Sequence, residues 1–376
     1  MIIAVNTSFT GVVLDNPDYD LFFECFSKLA SLHAHHQFIF IVDKNFDERY
    51  ITTKNSRAVV AGAATANPFL LQYRLNYSIP AILRKHKANV LVSINCCSLR
   101  SKLPQCLILN DLSFTTHPEL YPGNWLRFFK KNIPKSIAHA KTIVTGSSFL
   151  KQQLIDTFKK DADAINLVQY GAGELYRPAD WQEKDAVKKK YTEDLEYFLY
   201  SGPIDAQQNL TALLKAFSFF KKRQKSNMQL IIASAGTATD AAFIKSVSNY
   251  KYREEVKLLE RLDKTTLARI TAGAYALINP SVYENFAAAI PAALQCDVPV
   301  VTGNGNIMKE IYRDAVLYAN TADFNDIADK MMLLFKNEDV RNAIIEKGRL
   351  FAAQYNRDEA IDLLWRSIEK AAEALS

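Results

Sequence analysis

The stretch from Ala274 to Thr302 limits what this chain can fold into more than any other. An apolar run, Ala274 to Ile278, stops at Asn279-Pro280; an alanine-rich helical stretch follows, and Asp297-Val298-Pro299 opens a second apolar run. Proline cannot donate to a strand ladder and restricts the residue before it, so the two proline positions mark where one strand ends and the next begins. Strand, loop, helix, strand is one βαβ unit. In an open parallel sheet, ligands sit beyond the carboxyl ends of the strands. The loop around Glu284 lies at such an end, and the helix after it offers its amino terminus to an anion. A single acid in that loop suits a hydroxyl or a cation.

The same alternation runs through the rest of the chain. Ile2 to Val5, Phe38 to Val42, Val90 to Val92, Cys106 to Leu109, Thr142 to Thr145 and Ile165 to Val168 read as strands. Helical patterns fall at Asp20 to Leu32, with Leu21, Phe22, Cys25, Phe26 and Leu29 apolar, at Pro68 to Lys85 and at Asn124 to Ala138. Beyond a polar, irregular run from Arg177 to Glu193, strands resume at Tyr197 to Gly202 and at Leu230 to Ala233. The last helix, Arg357 to Ala374, carries Ile361, Leu364, Trp365 and Ile368. This is a doubly wound α/β pattern, and 376 residues suit two domains of about 150 to 200 residues each.

Composition narrows the class. With 49% hydrophobic and 23% charged residues, the chain is an ordinary globular one. The net charge of +6 leaves two readings open: scattered lysines, or attraction to an anionic substrate or membrane surface. Five cysteines, with no CxxC spacing, fit a reducing compartment. The amino terminus runs straight into a strand with no charged n-region, and no apolar run approaches about 18 residues. A cytoplasmic location, at most peripheral to the inner face of a membrane, is therefore expected.

Pro280, Ser281, Glu284, Phe286, Ala293, Cys296, Pro299 and Val300 stand in register with the donor-binding segment of the retaining GT-B glycosyltransferases of family four (group 1), which this chain resembles over most of its length. The resemblance implies an α/β fold of two Rossmann-like doubly wound domains facing a cleft. It implies an amino-terminal acceptor-side domain at 1–175, a linker at 176–195, a donor-nucleotide domain at 196–355, and a helix at 356–376 crossing back to the first domain. Glu284 takes the place of the acid that holds donor-sugar hydroxyls, with Ser281 and Phe286 flanking it. The glycines expected after the Phe are Ala287 and Ala288, and the second Glu, which grips the ribose, is Ala292.

Two other segments carry the resemblance. Gly202 to Leu210 is similar to the family's Gly-x-x-x-x-Arg-Lys-Asn-Leu, whose basic pair stabilises the diphosphate leaving group; here the pair is Gln207 and Gln208. Glutamines donate hydrogen bonds but lack charge. Asn110 to Pro122 resembles the family's His-Asp-Leu to Tyr-Pro signature, with Asn110 in place of the histidine, then Asp111 and His117. The Asn110 amide can bond a hydroxyl but cannot titrate. His117 reads either as a polar ligand or as a structural cap. The loop after the first strand has one glycine, Gly11, where the family has several. The Asn124 to Ala138 helix, with Trp125, Phe128 and Phe129 at helical spacing, reads as a core stripe with a solvated basic back, or as a membrane or nucleic-acid binder. The His33, His35, His36 cluster reads as solvated at a helix end.

The implied activity is transfer of a hexosyl group, with retention, from a UDP- or GDP-sugar to a glycan or lipid-linked acceptor, as in bacterial polysaccharide assembly. Glu284 and Asn110 would be catalytic. Gly11, Gly202, Gln207, Gln208, Ser281, Phe286, Ala287, Ala288 and Ala292 would line the donor, and Asp111 and His117 the acceptor side. No cofactor, metal or nucleic acid is expected. Each missing charged contact costs about 2 to 4 kcal/mol of transition-state stabilisation, so the alternative is a silent relative serving as a binding or scaffold subunit, for example beside a partner transferase. In the active reading, Arg261, Lys264 or Lys309 supplies the missing charge.

Overall fold

The computed structural model describes residues 1–7, 18–44, 46, 51–63, 65, 67–169, 171–204, 208–234, 240–281, 288–355 and 357–373. Two compact units emerge: Met1–Tyr170 with Arg357–Ser376, and Gly171–Asn356.

The first unit is built on seven parallel strands: β1 Ile2–Asn6, β2 Gln37–Asp43, β3 Ser56–Gly62, β4 Val90–Ile94, β5 Gln105–Ile108, β6 Thr142–Thr145 and β7 Ile165–Leu167. Their order is β3-β2-β1-β4-β5-β6-β7. Strands covered on both faces need apolar residues at nearly every position, and alternate residues serve alternate cores. Ala4, Leu91, Leu107 and Ile143 face the layer made by α2 Pro68–Tyr73, α3 Ile79–Lys85, α4 Ser113–Thr116, α5 Gly123–His139 and α6 Ser148–Phe158. Ile3, Val5, Val90, Val92, Cys106 and Val144 face the other layer, where α1 Asp18–Leu32 meets the terminal helix Arg357–Glu373.

The helical pattern at 68–85 is interrupted. α2 and α3 are separated by a π-helical turn, Arg74–Ser78, directly ahead of Pro80, which has no N–H for the regular ladder; a widened turn is one way a helix absorbs that. On α1 the deeply buried aromatics are Phe23 and Phe26, whereas Phe22 packs at the margin. The histidine cluster is not simply solvated: His33 stacks on Trp365 of the terminal helix at 3.6 Å between ring centroids, and His36 tilts against the same ring.

The second unit has six parallel strands, β8 Tyr197–Ser201, β9 Gln229–Ala233, β10 Val256–Leu259, β11 Ala276–Ile278, β12 Val300–Gly303 and β13 Leu317–Ala319, in the order β10-β9-β8-β11-β12-β13. One face is covered by α7 Trp181–Thr192, then by α10 Lys264–Gly273, α11 Ala289–Gln295, α12 Asn306–Tyr312 and α14 Glu338–Gln354. The other carries α8 Leu210–Gln224, α9 Ala241–Ser248 and α13 Phe324–Lys336. The stretch 176–195, expected as a linker, instead contains α7, which starts in a capping box between Asp180 and Glu183 and buries Val187 in this unit's core.

In both sheets the strand order runs outward one way and then reverses, between β1 and β4 and between β8 and β11. The backbone there parts at the carboxyl ends of the strands and leaves a crevice for a ligand.

Candidate functional site

At the reversal point of the second sheet, β8 ends in Ser201-Gly202 and β11 in Asn279-Pro280-Ser281. Gly202 has φ +159, and a methyl group on it would lie 2.7 Å from the Tyr200 hydroxyl. That hydroxyl donates to the Pro203 carbonyl at 2.6 Å, so the turn closes tightly only around glycine. The Gly202 N–H itself donates to Ala233 O at 3.0 Å. Ser281 is buried, and its N–H reaches the Asn279 side-chain oxygen at 3.3 Å. Gln208 follows in a short helical turn, half-buried.

A residue that sequence reasoning passed over holds these loops together. Asn209, in the left-handed region at φ 55, sends its side-chain amide to two carbonyls, Pro280 O at 3.2 Å and Thr321 O at 2.8 Å. One side chain therefore ties the loop after β8 to those after β11 and β13. Next to it, Gly303 at the end of β12 admits the Ser281 carbonyl, which would stand 3.0 Å from an added methyl. The signal was available in Asn209-Leu210: asparagine tolerates the left-handed conformation and bonds backbone at short range.

Ala288 sits at the start of α11 in helical conformation, and Ala292 lies on its buried side with Ile290, Ala293 and Leu294. A methyl group there supplies no hydrogen bond to a ribose. Gly11, Gln207, Glu284, Phe286 and Ala287 lie outside the described residues. Of the candidate cations, Arg261 and Lys264 follow β10, which is three strands from β11, whereas Lys309 lies on α12, after β12, the immediate neighbour of β11. Lys309 is thus the one of the three that follows a strand paired with β11.

In the first unit, Asn110, Asp111 and His117 all follow β5, each with its own partners. The Asn110 side-chain oxygen accepts the Gly146 N–H at 3.0 Å, which commits that oxygen and leaves the amide NH2 without a bond among the described residues. Asp111 accepts the Ser113 N–H at 2.7 Å with one oxygen and the Tyr121 hydroxyl at 2.6 Å with the other. It shapes the loop. His117, half-exposed, pairs through Nδ1 with Glu119 at 3.1 Å, and its N–H caps α4 at the Ser113 carbonyl. Hydrogen bonds from its own backbone and from His117 hold the Glu119 carboxyl below its ordinary range. Among the described residues no cluster of His, Cys, Asp or Glu could hold a metal ion.

Two units of this topology in one chain define the GT-B glycosyltransferase fold. Sucrose-phosphate synthase from Thermosynechococcus elongatus has it, superposing with a TM-score of 0.82 at 16% identity over 100% of both chains. So does Anabaena HepE, solved with UDP and glucose, at a TM-score of 0.76 and 12% identity over 98% of this chain and 99% of that one. Residues 182–351 match the family Glycosyl transferases group 1, a match that lies within the second unit. In sequence the chain is 27% identical, over 248 residues, to the O-antigen chain mannosyltransferase B of Escherichia coli. That match covers 66% of this chain and 65% of the relative, slightly under two thirds of its length.

Proposed function

We propose that the chain transfers a hexosyl group, mannosyl by its relative, with retention, from a nucleoside-diphosphate sugar to a glycan or lipid-linked acceptor. The observation that carries this reading is the Asn209 tether, which holds the β8 turn and Ser281 at one reversal point within the residues that match group 1. In this reading Glu284 holds sugar hydroxyls, Gln207 and Gln208 donate to the diphosphate, and Lys309 supplies the charge that the glutamines lack. Developing negative charge on a leaving diphosphate is stabilised most by fixed donors already in place. The unbonded NH2 of Asn110 offers a neutral donor to a sugar hydroxyl.

A second reading has its own support. Ala292 offers only a methyl group where a ribose partner is implied, and Gln208 is uncharged, so a silent, scaffold-like relative is the alternative. A calorimetric titration with UDP, GDP, ADP and their common sugars separates the two. Selective binding of one nucleotide, weakened by Lys309→Ala and restored or tightened by Gln207→Arg with Gln208→Lys, is the expected result; turnover should then vanish in Glu284→Ala. No binding at millimolar nucleotide would refute the transferase reading.

A further inference from the structure

Each sheet ends in two edge strands, and one of the four is unlike the rest. β7, β10 and β13 are 3, 4 and 3 residues long, whereas β3, Ser56–Gly62, runs for 7. Short edge strands, lysines and prolines keep sheet edges from pairing with other chains. β3 has none of these: it reads Ser-Arg-Ala-Val-Val-Ala-Gly, and its one charge, Arg57, is engaged in donating to His86 Nδ1 at 3.1 Å. The irregularity in its pairing with β2 comes only after Val60, and the Val60 side chain is 55% exposed.

The ladder fixes which backbone groups of β3 face outward. β2 and β3 are parallel with Phe38 opposite Ser56, and the Phe38 N–H donates to Asn55 O at 2.8 Å. In such a pair alternate residues turn both of their backbone groups to the neighbouring strand. Asn55, Arg57 and Val59 therefore serve β2, while Ala58 and Val60 point the other way. Among the described residues no hydrogen bond reaches the N–H or C=O of Ala58 or Val60 from that outer side.

We propose that β3 pairs antiparallel with β3 of a second copy of this chain, about a two-fold axis through Val59. Ala58 then lies opposite Val60 of the second copy, and each such pair exchanges both of its hydrogen bonds, four across the axis, so that every outward group of the two residues is met. Val59 meets itself and Arg57 meets Ala61, so no like charges stand opposite each other. An axis through Ala58 keeps the same number of bonds but sets Val60 against Ser56 and Val59 against Arg57. One through Val60 leaves Ala58 unpaired, because Gly62, its opposite, is already turned to β2 and Lys44. Side chains select the register, and a strand that complements itself selects a second copy over an unrelated peptide. Because the paired strands run oppositely, the carboxyl ends of the two sheets face opposite ways and their crevices stay separate. The pairing is independent of whether the donor site is active.

The test is sedimentation velocity of the full chain over a wide range of concentration, in which a 42.4 kDa monomer should give way to a dimer. Ala58→Pro deletes two of the four bonds but spares the ladder with β2, since the Ala58 N–H faces outward. It should weaken dimerisation on the order of 30-fold, with a circular dichroism melt close to the parent's. Val60→Lys, at an exposed position, should act in the same direction without a proline. Val59→Cys reads the register: on the axis it faces itself in a non-hydrogen-bonded pair, about 4.5 Å between Cα atoms, within reach of a disulfide. Arg57→Cys faces Ala61 instead. The native cysteines are buried, so with oxidised glutathione as oxidant only Val59→Cys should cross-link to a dimer. A monomer at every concentration, a dimer that survives both Ala58→Pro and Val60→Lys, or equal cross-linking of the two cysteine variants would overturn the proposal.

Discussion

Replacing Asn209 tests whether one side chain holds the second unit's crevice in shape. Asn209→Ala removes two hydrogen bonds, at 3.2 and 2.8 Å, and strands two part-buried carbonyls. At about 1 kcal/mol each, the lower end for such groups because water can reach part-buried oxygens, the loss is about 2 kcal/mol. The backbone at φ 55 adds about 1 kcal/mol for alanine in the left-handed region, for about 3 kcal/mol in all. Asn209→Gly keeps the bond loss but escapes the backbone strain, so it should recover about 1 kcal/mol. Asn209→Asp has no donor to offer and sets a carboxylate against two carbonyl oxygens, so it should be the worst of the three. Urea unfolding followed by circular dichroism ranks them, and nucleotide titration should fall in the same order. If Asn209→Asp matched the parent, or if Asn209→Ala lay within about 0.5 kcal/mol of it, the tether would have no energetic role.

Three further expectations use other parts of the structure. Gly303→Ala places a methyl 3.0 Å from the Ser281 carbonyl and should destabilise by about 1–3 kcal/mol while weakening nucleotide binding, measured by the same melts and titrations. Leu364→Ala on the terminal helix empties a fully buried position in the first unit and should cost about 2–5 kcal/mol in urea unfolding. Burial pushes the Cys25 thiol up to about 11 and those of Cys96, Cys106 and Cys296 up to about 12. The folded values exceed the ordinary thiol value near about 8.5, so this stabilisation is complete below that pH and is lost as pH rises toward about 12. The melting temperature should therefore fall across that window, and Ellman's reagent at neutral pH should label these cysteines only in unfolded protein.

The alternation of apolar runs places most strands to within a residue, because doubly covered parallel strands are apolar at nearly every position. β3 is not legible in this way: Ser56–Gly62 is an edge strand with a half-exposed, mixed pattern. Helix α7 reads as linker since it buries little besides Val187, yet Asp180 and Glu183 stand at capping-box spacing and mark its start. His33 is legible only as part of a polar cluster, because its partner, Trp365, arrives from the far end of the chain. At the candidate site, Gly202 and Ser281 are visible through motif position alone. Asn209 stands in the same motif, but its task is not legible there, since it bonds two carbonyls from distant loops. The basic character of α5 can be read from the sequence, as can the Trp125, Phe128 and Phe129 stripe that it buries.

The terminal helix has a consequence for how the protein is made. Its Ile361, Leu364, Trp365 and Ile368 complete the core that Phe23, Val92, Cys106 and Val144 begin, and Thr142 bonds the Ser367 carbonyl across it at 2.9 Å. A ribosome that has finished β7 must still translate all of the second unit before that cover exists, roughly 10–40 s at about 5–20 residues per second. For that interval the part of the first sheet's apolar face that α1 does not cover stays bare, a natural client for a holding chaperone. A fragment stopping at residue 170 would keep that part bare permanently.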